Sequence, residues 1–231
     1  MLGGIGERMT VKANLEQIKR NIRQACERSG RDPEEITIIG VTKYVTIERT
    51  KEAIAAGIKN IGENRTDELL NKYNQIDDEN VKWHFIGTLQ SRKTRDIIHE
   101  VAAIHSLDRI SLARQINNRA TQPMDCFIQV NVSGEESKHG LSPDEILPFV
   151  EELAEYEKVH VIGLMTMAPH IEDEQKLREV FKQLASLKNT IQDKNYPHAP
   201  CNYLSMGMSN DYEIAIEEGA THIRIGSDLV G

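Results

Sequence analysis

Eight short runs rich in β-branched and apolar residues recur along this 231-residue chain, at residues 36–43, 58–63, 82–87, 103–107, 126–132, 160–168, 202–206 and 222–226. Stretches of helical periodicity separate them, at 46–56, 66–73, 91–99, 109–120, 143–156, 173–192 and 210–218. Runs this apolar, with little polar alternation, are the signature of strands buried on both faces, as in parallel sheets. Eight of them alternating with helices in this length predict a parallel (β/α)8 TIM-type barrel rather than an open doubly wound sheet. An amphipathic helix with Leu15, Ile18, Ile22, Ala25 and Cys26 on one face precedes the first strand, and the sequence stops just after the eighth. That N-terminal helix is expected to fill the slot a last barrel helix would take. Residues 10–231 are expected to form a single domain, with residues 1–9, MLGGIGERM, as a poorly ordered leader.

Two helix starts are written in local chemistry. Asp32-Pro33-Glu34-Glu35 supplies a cap, a first-turn proline and a carboxylate, and Ser142-Pro143-Asp144-Glu145 reads as a capping box. The net charge of −8 argues against a nucleic-acid coat or an anionic membrane surface as partner. No secretory pattern and no run of eighteen apolar residues occurs, so a cytoplasmic protein is expected. The three cysteines, Cys26, Cys126 and Cys201, sit in apolar company without a CxxC, which reads as buried thiols rather than disulfides or a metal site.

The first run, ITIIGVTK, ends in Lys43. A lysine at a strand exit is by default exposed and inert, but one buried in such a strand would have its amine pushed toward the neutral, nucleophilic form. Barrels place their chemistry at strand exits, and these are polar here: Glu63 and Asn64 after the second strand, His84 within the third, Arg224 to Ser227 after the eighth. Asn64 could equally cap a helix starting at Arg65, and His84 could be a satisfied core histidine beside Trp83. SMGMSND puts Ser205, Gly207 and Ser209 after the seventh strand, and IRIGS puts Gly226 and Ser227 after the eighth. Loops in those two places commonly bind phosphate through backbone N–H groups and hydroxyls. Beside an amine, they suggest a phosphorylated aldehyde.

Taken together these motifs resemble the pyridoxal phosphate homeostasis protein family, single-domain relatives of the alanine racemase barrel. The likeness runs from Leu15 to Gly231 through VTK at 41–43, GEN at 62–64, WHFIGTLQ at 83–90, SKHG at 137–140, GLM at 163–165, LSMGMSND at 204–211 and RIG at 224–226. Arg65 and Arg92 stand where relatives often have tyrosine and asparagine, and the sequence ends at Gly231 without the short tail many carry. The resemblance implies a Schiff base between Lys43 and pyridoxal 5′-phosphate, phosphate contacts from Ser205, Gly226 and Ser227, Arg224 facing the pyridine nitrogen, and Asn64 and His84 near the cofactor.

It further implies a role in intracellular vitamin B6 and amino-acid homeostasis without strong catalysis, at most a weak pyridoxal phosphate-dependent activity, with pyridoxal phosphate-dependent apoenzymes as recipients; a monomer is expected. The alternative is a pyridoxal phosphate-dependent amino-acid racemase. Racemisation needs two bases on opposite faces of the substrate, and the larger relatives supply one of them from a second domain.

Overall fold

A computed structural model describes residues 9–136 and 138–231, so the expected leader, apart from Met9, and Ser137 of the SKHG motif lie outside the described residues. The expected barrel is there. Strands β1 (Thr37–Val41), β2 (Asn60–Glu63), β3 (Lys82–Phe85), β4 (Ala103–Leu107), β5 (Met124–Gln129), β6 (Val159–Met165), β7 (Tyr203–Ser205) and β8 (His222–Ile225) close in sequence order, every pair parallel. Helices α1 (Val11–Ser29), α2 (Ile47–Ala55), α3 (Thr66–Gln75), α4 (Thr94–Ile97), α5 (Ile110–Arg119), α6 (Ile146–Glu152), α7 (Glu174–Asp193), α8 (Tyr212–Glu217) and α9 (Ser227–Val230) surround it. The main apolar core lies between sheet and helices, because alternate strand residues point outward.

The N-terminal helix does occupy the open slot. Its face of Val11, Leu15, Ile18, Ile22, Ala25 and Cys26 is buried, and it packs against α8, α9 and α2. Burial of each large aliphatic side chain there is worth about 1.5–3 kcal/mol. Polar contacts fix the register of the helix: Asn14 Nδ2 donates to the Leu229 carbonyl at 2.9 Å and Asn21 Nδ2 to the Tyr212 hydroxyl at 2.8 Å. The one element not foreseen is α9. It continues the chain past β8 as a single final turn of barrel helix. Both local start signals are formed, with Asp32 accepting from Glu34 N at 2.9 Å and Glu145 closing the box on Ser142 N at 2.8 Å. The three cysteines are buried and free.

Six of the eight strands end one to three residues earlier than the apolar runs suggest, since pairing stops where the loops splay apart, while β2 and β4 end at Glu63 and Leu107 as expected. In β8 the alternation sends Ile223 and Ile225 outward into the helix layer and His222 and Arg224 into the barrel. The interior is therefore unusual for such a fold. It holds a small apolar cluster of Ala103, Phe127 and Met165, together with buried His84, His105, Ser205 and Arg224. Among the described residues, no helix is long and apolar enough to cross a membrane.

Candidate functional site

At the C-terminal mouth of the barrel lies a cavity of about 500 Å³, lined among others by Lys43, Asn64, Arg224, Gly226, Ser227 and Ser209. Lys43 reaches it from the turn that follows β1. Its side chain is exposed, as a lysine at a strand exit is by default, rather than buried within the strand, because β1 ends at Val41 and the chain turns at Lys43 and Tyr44. What is buried is the residue before it. Thr42 gives its hydroxyl hydrogen to Glu63 Oε1 at 2.6 Å, while its carbonyl accepts from Lys72 Nζ at 2.6 Å. Lys72 also pairs with Glu63 at 2.6 Å, both side chains being almost fully buried. Tyr44 then sits at φ +65°, a left-handed conformation that is costly for an aromatic residue; the residue is 85% exposed, and the Lys43 amine lies 5.8 Å from its ring centroid. A clamped residue on one side and a strained one on the other set the direction in which Lys43 leaves the strand.

Asn64 does not cap the helix after it: Arg65 holds the N-cap position of α3, and Asn64 forms cavity wall. Its approach depends on Gly87 opposite, where a Cβ would stand 2.3 Å from the Asn64 carbonyl oxygen. The loops after β7 and β8 are tied together by the Asp228 N–H donating to Ser209 Oγ at 3.3 Å. The first of these loops is itself braced by Met208 N–H donating to Asp211 at 2.7 Å. Gly226, Ser227 and Ser209 thus share one corner of the cavity.

Arg224 is buried, with one guanidinium nitrogen donating to Ser205 Oγ at 2.7 Å and the other to the Thr166 carbonyl at 2.9 Å. Burial pushes its pKa down to about 10, against the opposing pull of the Asp211 carboxylate, so it stays cationic at neutral pH. Among the described residues no carboxylate pairs with it. A buried, cavity-lining cation of this kind is suited to an acceptor on a ligand.

Two residues expected at the site lie elsewhere. Ser205 is fully buried inside the barrel, its hydroxyl taken up by Arg224 and by His105 Nδ1 at 2.9 Å. As the last residue of β7 it points inward on the pleat, whereas Ser209, four residues on in the loop, lines the cavity. His84 lies deeper still. Its Nε2 meets Asn60 Oδ1 at 2.8 Å and its Nδ1 meets His105 Nε2 at 2.9 Å, and it lines a separate cavity of about 320 Å³ with strand-start residues such as Thr37 and His222. The core-histidine alternative fits that placement. Ile86 and Met208, within the WHFIGTLQ and SMGMSND motifs, carry no polar signal of their own, and Gln129 and Met167 join them at the cavity only through the fold. His105 lies inside the apolar run AIHSL, where nothing in the sequence sets it apart from a core residue. Among the described residues no group of three His, Cys, Asp or Glu side chains is arranged to hold a metal.

Residues 13–231 match the family model described as "Alanine racemase, N-terminal domain". The chain belongs to that family. It is 41% identical over 226 residues to the pyridoxal phosphate homeostasis protein of Aquifex aeolicus, covering 96% of this chain and 98% of the relative. The Escherichia coli K12 protein of the same name is 34% identical over 224 residues, covering 94% of each. Within the alanine racemase family, then, the chain is a member of the pyridoxal phosphate homeostasis group, as its motifs implied. Among solved structures, PipY of Synechococcus elongatus with pyridoxal phosphate bound superposes with a TM-score of 0.83 at 29% identity, covering 96% of this chain and all of PipY. An alanine racemase of Clostridium difficile shares the fold at a TM-score of 0.76 and 16% identity, and only 56% of its length is covered.

Proposed function

We propose that this protein binds pyridoxal 5′-phosphate through a reversible covalent link at Lys43 and serves vitamin B6 and amino-acid homeostasis in the cytoplasm without strong catalysis. One observation carries the reading: a single cavity holds an accessible lysine amine, a buried arginine that no carboxylate pairs with among the described residues, and a glycine and hydroxyl corner from the loops after β7 and β8. The donor set fits the group. Pyridoxal phosphate supplies an electrophilic aldehyde, a pyridine ring and a phosphate dianion. In this chain Lys43 is the amine for the aldehyde, Ser209, Gly226 and Ser227 are the donors for the phosphate, and Arg224 is the cation for the ring nitrogen, with Asn64 along the wall.

Arg224 also weighs against strong catalysis. A residue that remains a cation cannot accept a proton from the ring, so it disfavours the protonated pyridine that makes this cofactor a strong electron sink. Pyridoxal phosphate-dependent apoenzymes are the proposed recipients of the cofactor, and the protein is proposed to act as a monomer. The test is direct: the purified protein with added pyridoxal phosphate should develop a visible absorption band that borohydride abolishes, with the reduced adduct recovered on the peptide containing Lys43. Racemisation of alanine at rates typical of enzymes would overturn the binding-protein reading.

A further inference from the structure

A line of hydrogen bonds crosses the barrel interior from the cavity at one mouth toward the other. Arg224 on β8 donates to Ser205 Oγ on β7 at 2.7 Å, and Ser205 Oγ meets His105 Nδ1 on β4 at 2.9 Å. His105 Nε2 meets His84 Nδ1 on β3 at 2.9 Å, and His84 Nε2 meets Asn60 Oδ1 at the start of β2 at 2.8 Å. The direction of every bond follows from its two ends. Arginine can only donate, so Ser205 Oγ accepts, and its own hydrogen goes to His105 Nδ1. A neutral ring that accepts at Nδ1 carries its proton at Nε2, so His105 donates to His84 Nδ1. His84 in turn donates from Nε2 to the Asn60 amide oxygen, which only accepts. Burial holds both rings neutral, pushing His84 down to about 3 and His105 well below the usual range. His105 is further fixed by stacking on Phe127, ring centroids 4.2 Å apart.

We propose that Ser205, His105, His84 and Asn60 are positioning residues for Arg224, forming a one-way hydrogen-bond chain that orients its guanidinium from the far side of the barrel. Were His105 the other tautomer, it would donate to Ser205, whose hydroxyl hydrogen would then be stranded in a fully buried site. Asn60 prevents this by fixing the His84 tautomer, which fixes that of His105. With the Thr166 carbonyl holding the second nitrogen, Arg224 is anchored along one edge and keeps its other N–H donors for the cavity it lines. For its consequence in binding, the inference rests on Arg224 being a cofactor contact. The chain itself is a property of the unliganded protein.

Side-chain NMR of the unliganded protein tests it. In the wild type, ¹⁵N shifts should give His84 and His105 as neutral Nε2–H tautomers, with resolved Nη resonances for Arg224. His105→Phe keeps the stack on Phe127 but removes the relay, and Asn60→Ala removes only its far end. Both should exchange-average the Arg224 Nη signals and weaken pyridoxal phosphate binding about three- to tenfold. An Nδ1–H tautomer at either histidine in the wild type, a measurement that needs no variant, would overturn the proposal. So would unaltered Arg224 signals in a folded His105→Phe protein. Absence of pyridoxal phosphate binding by a wild type with the expected tautomers would instead strike the functional reading alone.

Discussion

Lys72 Nζ donates to the main-chain oxygen of Thr42, one residue before Lys43, at 2.6 Å. An ammonium on a barrel helix thereby holds the strand exit from which the proposed cofactor lysine departs, with Glu63 as its counter-ion at 2.6 Å. Replacing Lys72 with methionine leaves that carboxylate buried and uncompensated; its second oxygen already lacks a partner among the described residues. The expected cost is about 3–5 kcal/mol of unfolding free energy. Adding Glu63→Leu to Lys72→Met should recover a large part of it. Urea titration of the three proteins checks both statements.

Lys43 itself is exposed and makes no hydrogen bond or ion pair among the described residues. Lys43→Ala should therefore change stability by no more than about 0.5 kcal/mol while abolishing the borohydride-reducible adduct. A fully occupied adduct in that variant would move the covalent site elsewhere.

The two serines of SMGMSND should behave differently. Ser209→Ala combined with Ser227→Ala removes two hydroxyls from the cavity corner and should weaken pyridoxal phosphate binding about tenfold or more, with little change for unphosphorylated pyridoxal. Ser205→Ala removes an interior hydroxyl and should weaken both ligands alike, along with the fold. Titrations of the two ligands against the two variants separate the roles.

Acid should destabilise the protein through its interior histidines. His84 binds a proton in the folded state only near pH 3, but in the unfolded chain near 6.5; His105 is shifted the same way by burial. Between those values the unfolded state holds more protons, so stability is intact above 6.5 and falls as pH drops toward 3. At pH 5 the His84 ring should cost on the order of 2 kcal/mol, with His105 adding to the loss in the same direction. Denaturant midpoints at pH 7.5, 6 and 5 give the slope, which His84→Gln should lessen.

Strand number, their parallel order and the N-terminal helix were legible in the sequence because buried parallel strands are unbroken apolar runs and helices announce themselves every three or four residues. Lys43, Asn64, Gly226 and Ser227 were legible as polar punctuation just after such runs, which in a barrel is enough to put them at one mouth. The fold alone decided which serine meets the cavity. Side-chain direction at a strand end depends on the pleat and on closure of the ring, and these turn Ser205 inward to Arg224 and leave Ser209 at the rim. The same closure brings His105 and His84, 21 residues apart in sequence, into one line with Ser205, 100 residues beyond His105. Lys72 looks like any helix-surface lysine, and only the packing of α3 against β2 and β3 buries it on Glu63. Chain composition determines what can be buried; long-range register determines which polar groups must then find one another, since each one left unpaired subtracts from a small net stability.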